Sequence, residues 1–238
     1  MKYENHSEVI DLHQKNSSCK NLPSFPIPIS DAFGGLIKSK WPLICGGYNY
    51  ENMGRQPKCF VIGKDKITTA YDLIEPRSGT ASVVLNDEVI WVASGYIGLG
   101  NAGYATKSSE FVHIDKPTTR GPDLPMFFTF HCMTKINENL VILIEGTQTK
   151  KVTLLVDVGK NFTMKLGPEL GEGREGHACE TFTYNEKPLV IVAGGDHGDG
   201  GSNIKTTEIL DFESGRGWLK GTTLLLFTQC NFIVVFFQ

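Results

Sequence analysis

Asp196-His197-Gly198-Asp199-Gly200-Gly201-Ser202-Asn203 gathers several oxygen ligands on one glycine-rich stretch. Oxygens crowded together suit a hard cation, but the run lacks the alternating spacing and distal Glu of an EF-hand loop, so it reads as a polar hairpin loop. His131 and His177 each stand at the head of an apolar run, and a pair of imidazoles could ligate a transition metal. Six cysteines (Cys19, Cys45, Cys59, Cys132, Cys179 and Cys230) form no C-x-x-C pair, and zinc is not indicated. Gly98-Leu99-Gly100-Asn101-Ala102-Gly103 matches G-x-G-x-x-G, yet the segment after it reads as a strand. No helix N-terminus is then available to receive a pyrophosphate. A nucleophile elbow and a phosphate-cradling glycine loop are both missing, so no catalytic residue, metal or cofactor is expected.

The elements that would position these groups are strands. Glycine and proline (26 and 11 of 238 residues) punctuate short runs rich in Val, Ile, Phe and Thr, and no helical periodicity exceeds two turns. Hydrophobic residues at 40% and charged residues at 21% are ordinary for a folded chain. The net charge is -3 with Lys and Arg scattered, which leaves no basic stripe for a phosphate backbone; nucleic acid is not expected as a partner. Residues 1–12 are polar and lack the apolar core of a signal peptide. The apolar run at 222–238 is interrupted by Thr228, Gln229 and Asn231 and is shorter than the roughly 20 residues a spanning helix needs, so a buried strand is expected rather than a membrane span.

Four of the apolar runs end at a glycine step: Leu43-Ile44-Cys45-Gly46-Gly47, Ile90-Trp91-Val92-Ala93-Ser94-Gly95, Val141-Ile142-Leu143-Ile144-Glu145-Gly146 and Val190-Ile191-Val192-Ala193-Gly194-Gly195. The second glycines, at 47, 95, 146 and 195, lie 48, 51 and 49 residues apart. Such a period is the signature of a repeat architecture. In the same phase, earlier strands open at Asp31-Ala32-Phe33, Thr80-Ala81-Ser82, His131-Cys132-Met133 and His177-Ala178-Cys179. Arg77 and Arg174 each stand three residues before Thr80 and His177. Third strands follow at 58–62, 109–112, 153–157 and 207–211. A fourth segment is clearest at Trp218-Leu219-Lys220-Gly221, whose Trp position is held by Ile67, Thr118 and Met164 in the other units.

This order resembles the kelch repeat, a four-stranded antiparallel blade with a glycine doublet after its second strand and a Trp in its fourth. The strings Pro42-Leu43-Ile44-Cys45-Gly46-Gly47, Gly121-Pro122-Asp123-Leu124-Pro125, Arg174-Glu175-Gly176-His177-Ala178-Cys179 and Ile191-Val192-Ala193-Gly194-Gly195 are similar to those of divergent invertebrate kelch proteins. The resemblance implies an all-β kelch-type β-propeller over residues 1–238. Its units are a partial blade at 1–26, blades at about 27–75, 76–126, 127–171 and 172–222, and a terminal strand at 223–238. The repeat's phase makes residues 7–12 a third strand and 231–237 a first strand, so the chain is expected to begin and stop inside blades, as a fragment or a mispredicted gene product would. Ser94 and Glu145 depart from the doublet, and Glu145 must point outward or find a partner.

Within the resemblance, the two histidines could serve copper chemistry of the galactose-oxidase type, but its Tyr ligands and Tyr–Cys cross-link have no counterpart here. Cys45 ends a second strand and Cys59 opens the neighbouring third, so a disulfide and two buried thiols are both open readings. Sequons stand at Asn5-His6-Ser7, Asn16-Ser17-Ser18 and Asn161-Phe162-Thr163; about two would arise by chance, and the compartment stays open, with cytoplasmic the default expectation and extracellular the alternative.

Propeller loops from successive blades converge on one face. Those after the glycine steps supply Tyr48, Tyr50, Tyr96, Asp196 and His197; the turns between blades supply Phe127, Phe128, Glu172, Arg174 and Glu175. Aromatics with Arg are enriched at binding hot spots. The expected function is a scaffold that binds a protein or peptide on this face, the alternative being a carbohydrate-binding or galactose-oxidase-like kelch protein. No BTB or BACK domain fits in the chain, so recruitment of a ubiquitin ligase would need other residues.

Overall fold

The computed structural model describes residues 8–9, 20–21, 23–38, 41–98, 102–146, 151–197 and 203–221. They are almost wholly strand and turn, with a 3-10 turn at Val158–Lys160. Four four-stranded sheets follow one another along the chain, each an antiparallel meander in sequence order. Sheet one holds Phe33–Ile37, Trp41–Cys45, Cys59–Ile62 and Ile67–Thr69; sheet two, Ala81–Asn86, Val89–Ala93, Ser109–His113 and Thr119–Arg120. Sheet three holds Cys132–Asn137, Leu140–Ile144, Thr153–Asp157 and Thr163–Leu166; sheet four, Ala178–Tyr184, Lys187–Ala193, Thr207–Asp211 and Trp218–Lys220. First strands of successive sheets lie against one another, which makes the arrangement propeller-like. Upstream, Glu8–Val9, inside the expected third strand, pairs antiparallel with Lys20–Asn21. The expected terminal strand at 231–237 lies outside the described residues.

The core lies between sheets, which explains why the second strands are apolar on both faces. Successive side chains of a strand point to opposite sides. In sheet two, Ile90 and Val92 pack with Phe33, Leu43 and Val61 of sheet one, whereas Trp91 and Ala93 pack with Met133, Val141 and Leu143 of sheet three. Ile142 and Ile144 in turn meet Val190 and Val192 of sheet four. The fully buried Trp91 ring receives Phe162 of sheet three edge-on at 5.1 Å, and Phe162 also leans on Phe111 at 5.4 Å. Fourth strands reach back to the preceding sheet's exit turn: Trp218 Nε1 donates to the Pro168 carbonyl (3.0 Å) and the Thr118 hydroxyl to that of Asp72 (2.9 Å). Thr118 thus keeps a hydrogen bond where the ring is lost.

Backbone hydrogen bonds join the sheets at the head of their first strands. The Gly79 amide donates to the Asp31 carbonyl (3.1 Å), Phe130 to Gly79 (2.8 Å), and Gly176 to Phe130 (3.1 Å). These four residues immediately precede the equivalent residues Ala32, Thr80, His131 and His177, and all are left-handed, with φ between 47° and 63°. A second connection comes from the glycine steps, where the amides of Gly47 and Gly95 each donate 2.8 Å bonds to the next sheet, at Arg77 and Phe128. A Cβ on Gly47 or Gly95 would sit 2.7 or 2.8 Å from the carbonyl oxygen of Ser30 or Ser78, and both residues have positive φ. No side chain fits there. The departures at the step are absorbed by new bonds. Ser94 Oγ donates to the Thr106 carbonyl and accepts the Phe128 amide, both at 2.6 Å, and Glu145 turns inward, accepting the amides of Gly146 (3.1 Å) and Thr129 (3.5 Å).

Two disulfides cross-link the described residues. Cys45–Cys59 joins directly paired strands of sheet one, and so the open question at that pair resolves as a disulfide. Cys132–Cys179 joins the first strands of sheets three and four and was not anticipated. Cys132 shares its register with Ala178, so Cys179 is one residue out of phase. The side-chain alternation therefore turns Cys132 and Cys179 toward each other across the inter-sheet gap. Closing a loop of this length (sequence separation 47) restricts the unfolded chain. Replacing the pair in C132A/C179A is expected to lower unfolding free energy by about 2–4 kcal/mol, read by denaturant titration without reductant.

Candidate functional site

The residues after the first, second and fourth glycine steps fold back on the turns that lead into the first strands of their own sheets. Tyr48 exchanges backbone bonds with Ser30 (2.8 and 3.0 Å), Tyr96 pairs with Ser78, and Asp196 exchanges bonds with Glu175 (2.9 and 3.0 Å). Tyr48, Tyr96 and Asp196 are therefore equivalent positions at one end of sheets one, two and four.

Around the two tyrosines lies a ridge. Tyr48–Asn49 pairs with Gly54–Arg55, and the Asn49 side chain accepts the Glu51 amide (2.8 Å) to close the hairpin tip. This places the Arg55 guanidinium 5.7 Å from the ring centres of both Tyr48 and Tyr96, where the negative faces of the rings attract it. Arg55 Nη1 also reaches the Gly98 carbonyl at 3.4 Å. Tyr50 stands edge-on to Tyr48 at 4.8 Å, and Phe130 flanks Tyr96 at 5.8 Å. Tyr50, Tyr48, Arg55, Tyr96 and Phe130 thus run in sequence across sheets one to three. Tyr50 is 41% exposed and Tyr104, on the strand paired with Tyr96–Ile97, is 62% exposed.

The remaining expected residues divide. Phe127 is 43% exposed on the turn into sheet three. Asp196 and His197 are half-buried, and His197 Nε2 stands 3.6 Å from Glu172 Oε1. Arg174 and Phe128 must be taken out of the surface set, for both are buried. They share with Arg77 the position three residues before the head of the first strand, and this position points into the protein. Arg174 Nη1 donates to the carbonyls of Gly194 (2.9 Å) and Thr206 (3.1 Å), and Nη2 to Glu208 (3.0 Å). Glu208 also accepts the amides of Gly171 (2.6 Å) and Glu172 (3.1 Å) on the turn leaving sheet three. Sheet two repeats this: Arg77 binds the carbonyls of Ser94 and Ser108 and Glu110 (2.6 Å), and Glu110 holds the amides of Ile74 and Glu75. In sheet three the same two places are apolar, Phe128 and Leu154, in one buried cluster.

His131 and His177 are buried immediately before the first strands of sheets three and four. Burial pushes both imidazoles down to about 3; for His131 the neighbouring His177 adds to this, and for His177 the charge of Arg174 does. His177 Nδ1 faces the Arg174 carbonyl at 3.2 Å. Among the described residues no three His, Cys, Asp or Glu side chains group as a metal site; residues 198–202 of the acidic loop and 99–101 of the glycine run lie outside them. No described helix is long and apolar enough to cross a membrane.

These features define an all-β, propeller-like protein with a Tyr-Arg-Tyr ridge at one end of its sheets. No family model and no curated protein matches the sequence. Among solved structures it is similar to one titled "Structure of YjhT", with a TM-score of 0.74 and 14% identity over 92% of this chain and 78% of that one. At that identity the likeness speaks to the fold alone.

Two outcomes follow from the buried groups. R174M strands the Glu208 carboxylate and is expected to cost about 3–5 kcal/mol, with R174M/E208Q recovering part of it, since the neutral amide leaves no buried charge and its Oε1 still accepts one of the turn's two backbone donors. The histidines have folded values below the unfolded ~6.5, so the unfolded chain binds more protons and stability is lost as pH falls from about 6.5 toward 3. His113, depressed mainly by burial, acts in the same direction. The melting temperature should drop between pH 7 and pH 5, and less steeply in H131T/H177T, which copies Thr80 of sheet two.

Proposed function

We propose that the chain is a kelch-type propeller that recognises a segment of another protein on the loop end of its sheets, with the Tyr48-Arg55-Tyr96 arrangement as its anchor. The observation that carries this reading is the cation held between two tyrosines that project from equivalent positions of adjacent sheets. Rigid aromatics lose little side-chain entropy on binding, and Tyr and Arg dominate hot spots. A guanidinium already seated between rings is pre-organised, which reduces the ordering cost of binding. Tyr50, Phe130 and Phe127 extend the apolar area, while Asp196, His197 and Glu172 give a polar margin at sheet four. The repeat units between residues 27 and 222 serve as the frame, and the loops vary without disturbing it.

A peptide library displayed on phage and selected against the purified protein supplies ligands for the test. Y48A/R55A/Y96A should weaken the selected peptides by about 100-fold or more, because each hot-spot truncation is worth roughly 2 kcal/mol or more. Y184A serves as the control, because Tyr184 is 61% exposed where the first strand of sheet four ends, at the opposite end of the sheets. Full affinity in the triple variant at an unchanged melting temperature would sink the assignment of the ridge.

A further inference from the structure

We propose that Asn161 is an N-glycosylation site, and that the folded domain carries the glycan at the end of its sheets opposite the Tyr-Arg-Tyr ridge. Two independent observations meet here. One is local: Asn161-Phe162-Thr163 is an acceptor triplet whose Asn161 and Phe162 lie in the turn between the third and fourth strands of sheet three and whose Thr163 opens the fourth. Asn161 caps the 3-10 turn in a left-handed conformation (φ 50°, ψ 45°) that Asn tolerates better than most residues, and its side chain is exposed. Phe162 turns the other way, into Trp91 and Phe111 of sheet two. The inward ring anchors the turn and leaves the Asn161 amide directed at solvent. Thr163, which supplies the hydroxyl the triplet requires, is also exposed.

The other observation concerns compartment. Cys45–Cys59 and Cys132–Cys179 are both paired, and two structural disulfides in one domain belong to an oxidising environment such as the secretory lumen. That is also where Asn-X-Thr triplets meet their transferase. The topology leaves room for the modification: third-to-fourth turns lie at the opposite end of a meander from the second-to-third loops that carry Tyr48, Tyr50 and Tyr96. A glycan on Asn161 therefore leaves the ridge uncovered. In the transfer the Asn161 amide nitrogen bonds to the anomeric carbon of an oligosaccharide held on a lipid diphosphate. The carbon–oxygen bond to the diphosphate breaks, the diphosphate leaves with the electron pair, and the amide gives up one proton.

The test is expression of the full chain, directed into the secretory pathway of cultured animal cells, followed by non-reducing peptide mapping and glycopeptide mass spectrometry. Site-resolved mapping separates Asn161 from the triplets at Asn5 and Asn16. A glycopeptide spanning Asn161 is expected, absent in T163A and retained in T163S, and its asparagine becomes aspartate when peptide N-glycosidase removes the glycan. T163A leaves the left-handed Asn161 in place, so its melting temperature should be unchanged once natural protein has been deglycosylated for comparison. Bare Asn161, in secreted or in retained chain, overturns the proposal, as do free thiols at the four paired cysteines of the secreted protein.

Discussion

The amide-to-carbonyl ladder at the heads of the first strands, from Gly176 through Phe130 and Gly79 to Asp31, is the constraint on which the rest of the structure depends. Each step needs a left-handed residue that can donate to one neighbour and accept from the other. Glycine meets that requirement freely in sheets two and four, while Asp31 and Phe130 adopt it at a cost of order 1 kcal/mol each. Phe130 is compensated by its ring, which lies over Gly79 and beside Tyr96. With the ladder in place, neighbouring sheets stand at the spacing that lets Trp91, Leu143 and Ile144 fill the gaps between them. Protein interiors tolerate few voids, so the backbone ladder and the side-chain core must agree.

The same constraint explains where the charged residues went. The turn between sheets must travel from a fourth strand to the head of the next first strand, and its backbone donors enter the interior on the way. Glu110 and Glu208 accept those donors, and Arg77 and Arg174 neutralise the carboxylates while binding two carbonyls each. A buried pair of this kind contributes little net stability, but it penalises any other packing of the turn. Sheet three substitutes Phe128 and Leu154, which trades that directionality for apolar burial. Tyr96 of the ridge pairs beside Arg77 on one of these fixed turns, so that part of the ridge's geometry is inherited from the frame below it.

Much of the fold could be read from the period of glycine steps, because a step that cannot accept a Cβ leaves its mark at constant spacing. The all-β character, the place of the second strands and the antiparallel neighbours Cys45 and Cys59 follow from it. Surface and interior were harder to tell apart. Arg174 and Phe128 have the residue types of a binding hot spot and fall in an inter-sheet turn, and nothing in their own chemistry reveals that this position faces inward. The recurrence of Arg at 77 and 174 together with Glu at 110 and 208, all in phase, was the available sign of a paired interior. Arg55 carries no such sign in the sequence, because its role arises from a short hairpin that folds it back over Tyr48. Cys132–Cys179 was hidden for a similar reason: the partners differ by one residue in phase, and only side-chain alternation brings them together.

Amide hydrogen exchange resolved at Gly79, Phe130 and Gly176 reaches the ladder most directly, because all three lie in turns that would exchange quickly without it. Protection within about tenfold of that at Val92 and Ile142, in the buried second strands, is expected if these bonds join the sheets into one cooperative unit. Exchange as fast as at Glu88 and Glu213, on open turns, would mean that the sheets are held by their side chains and the glycine-step bonds and that the ladder does not organise the fold.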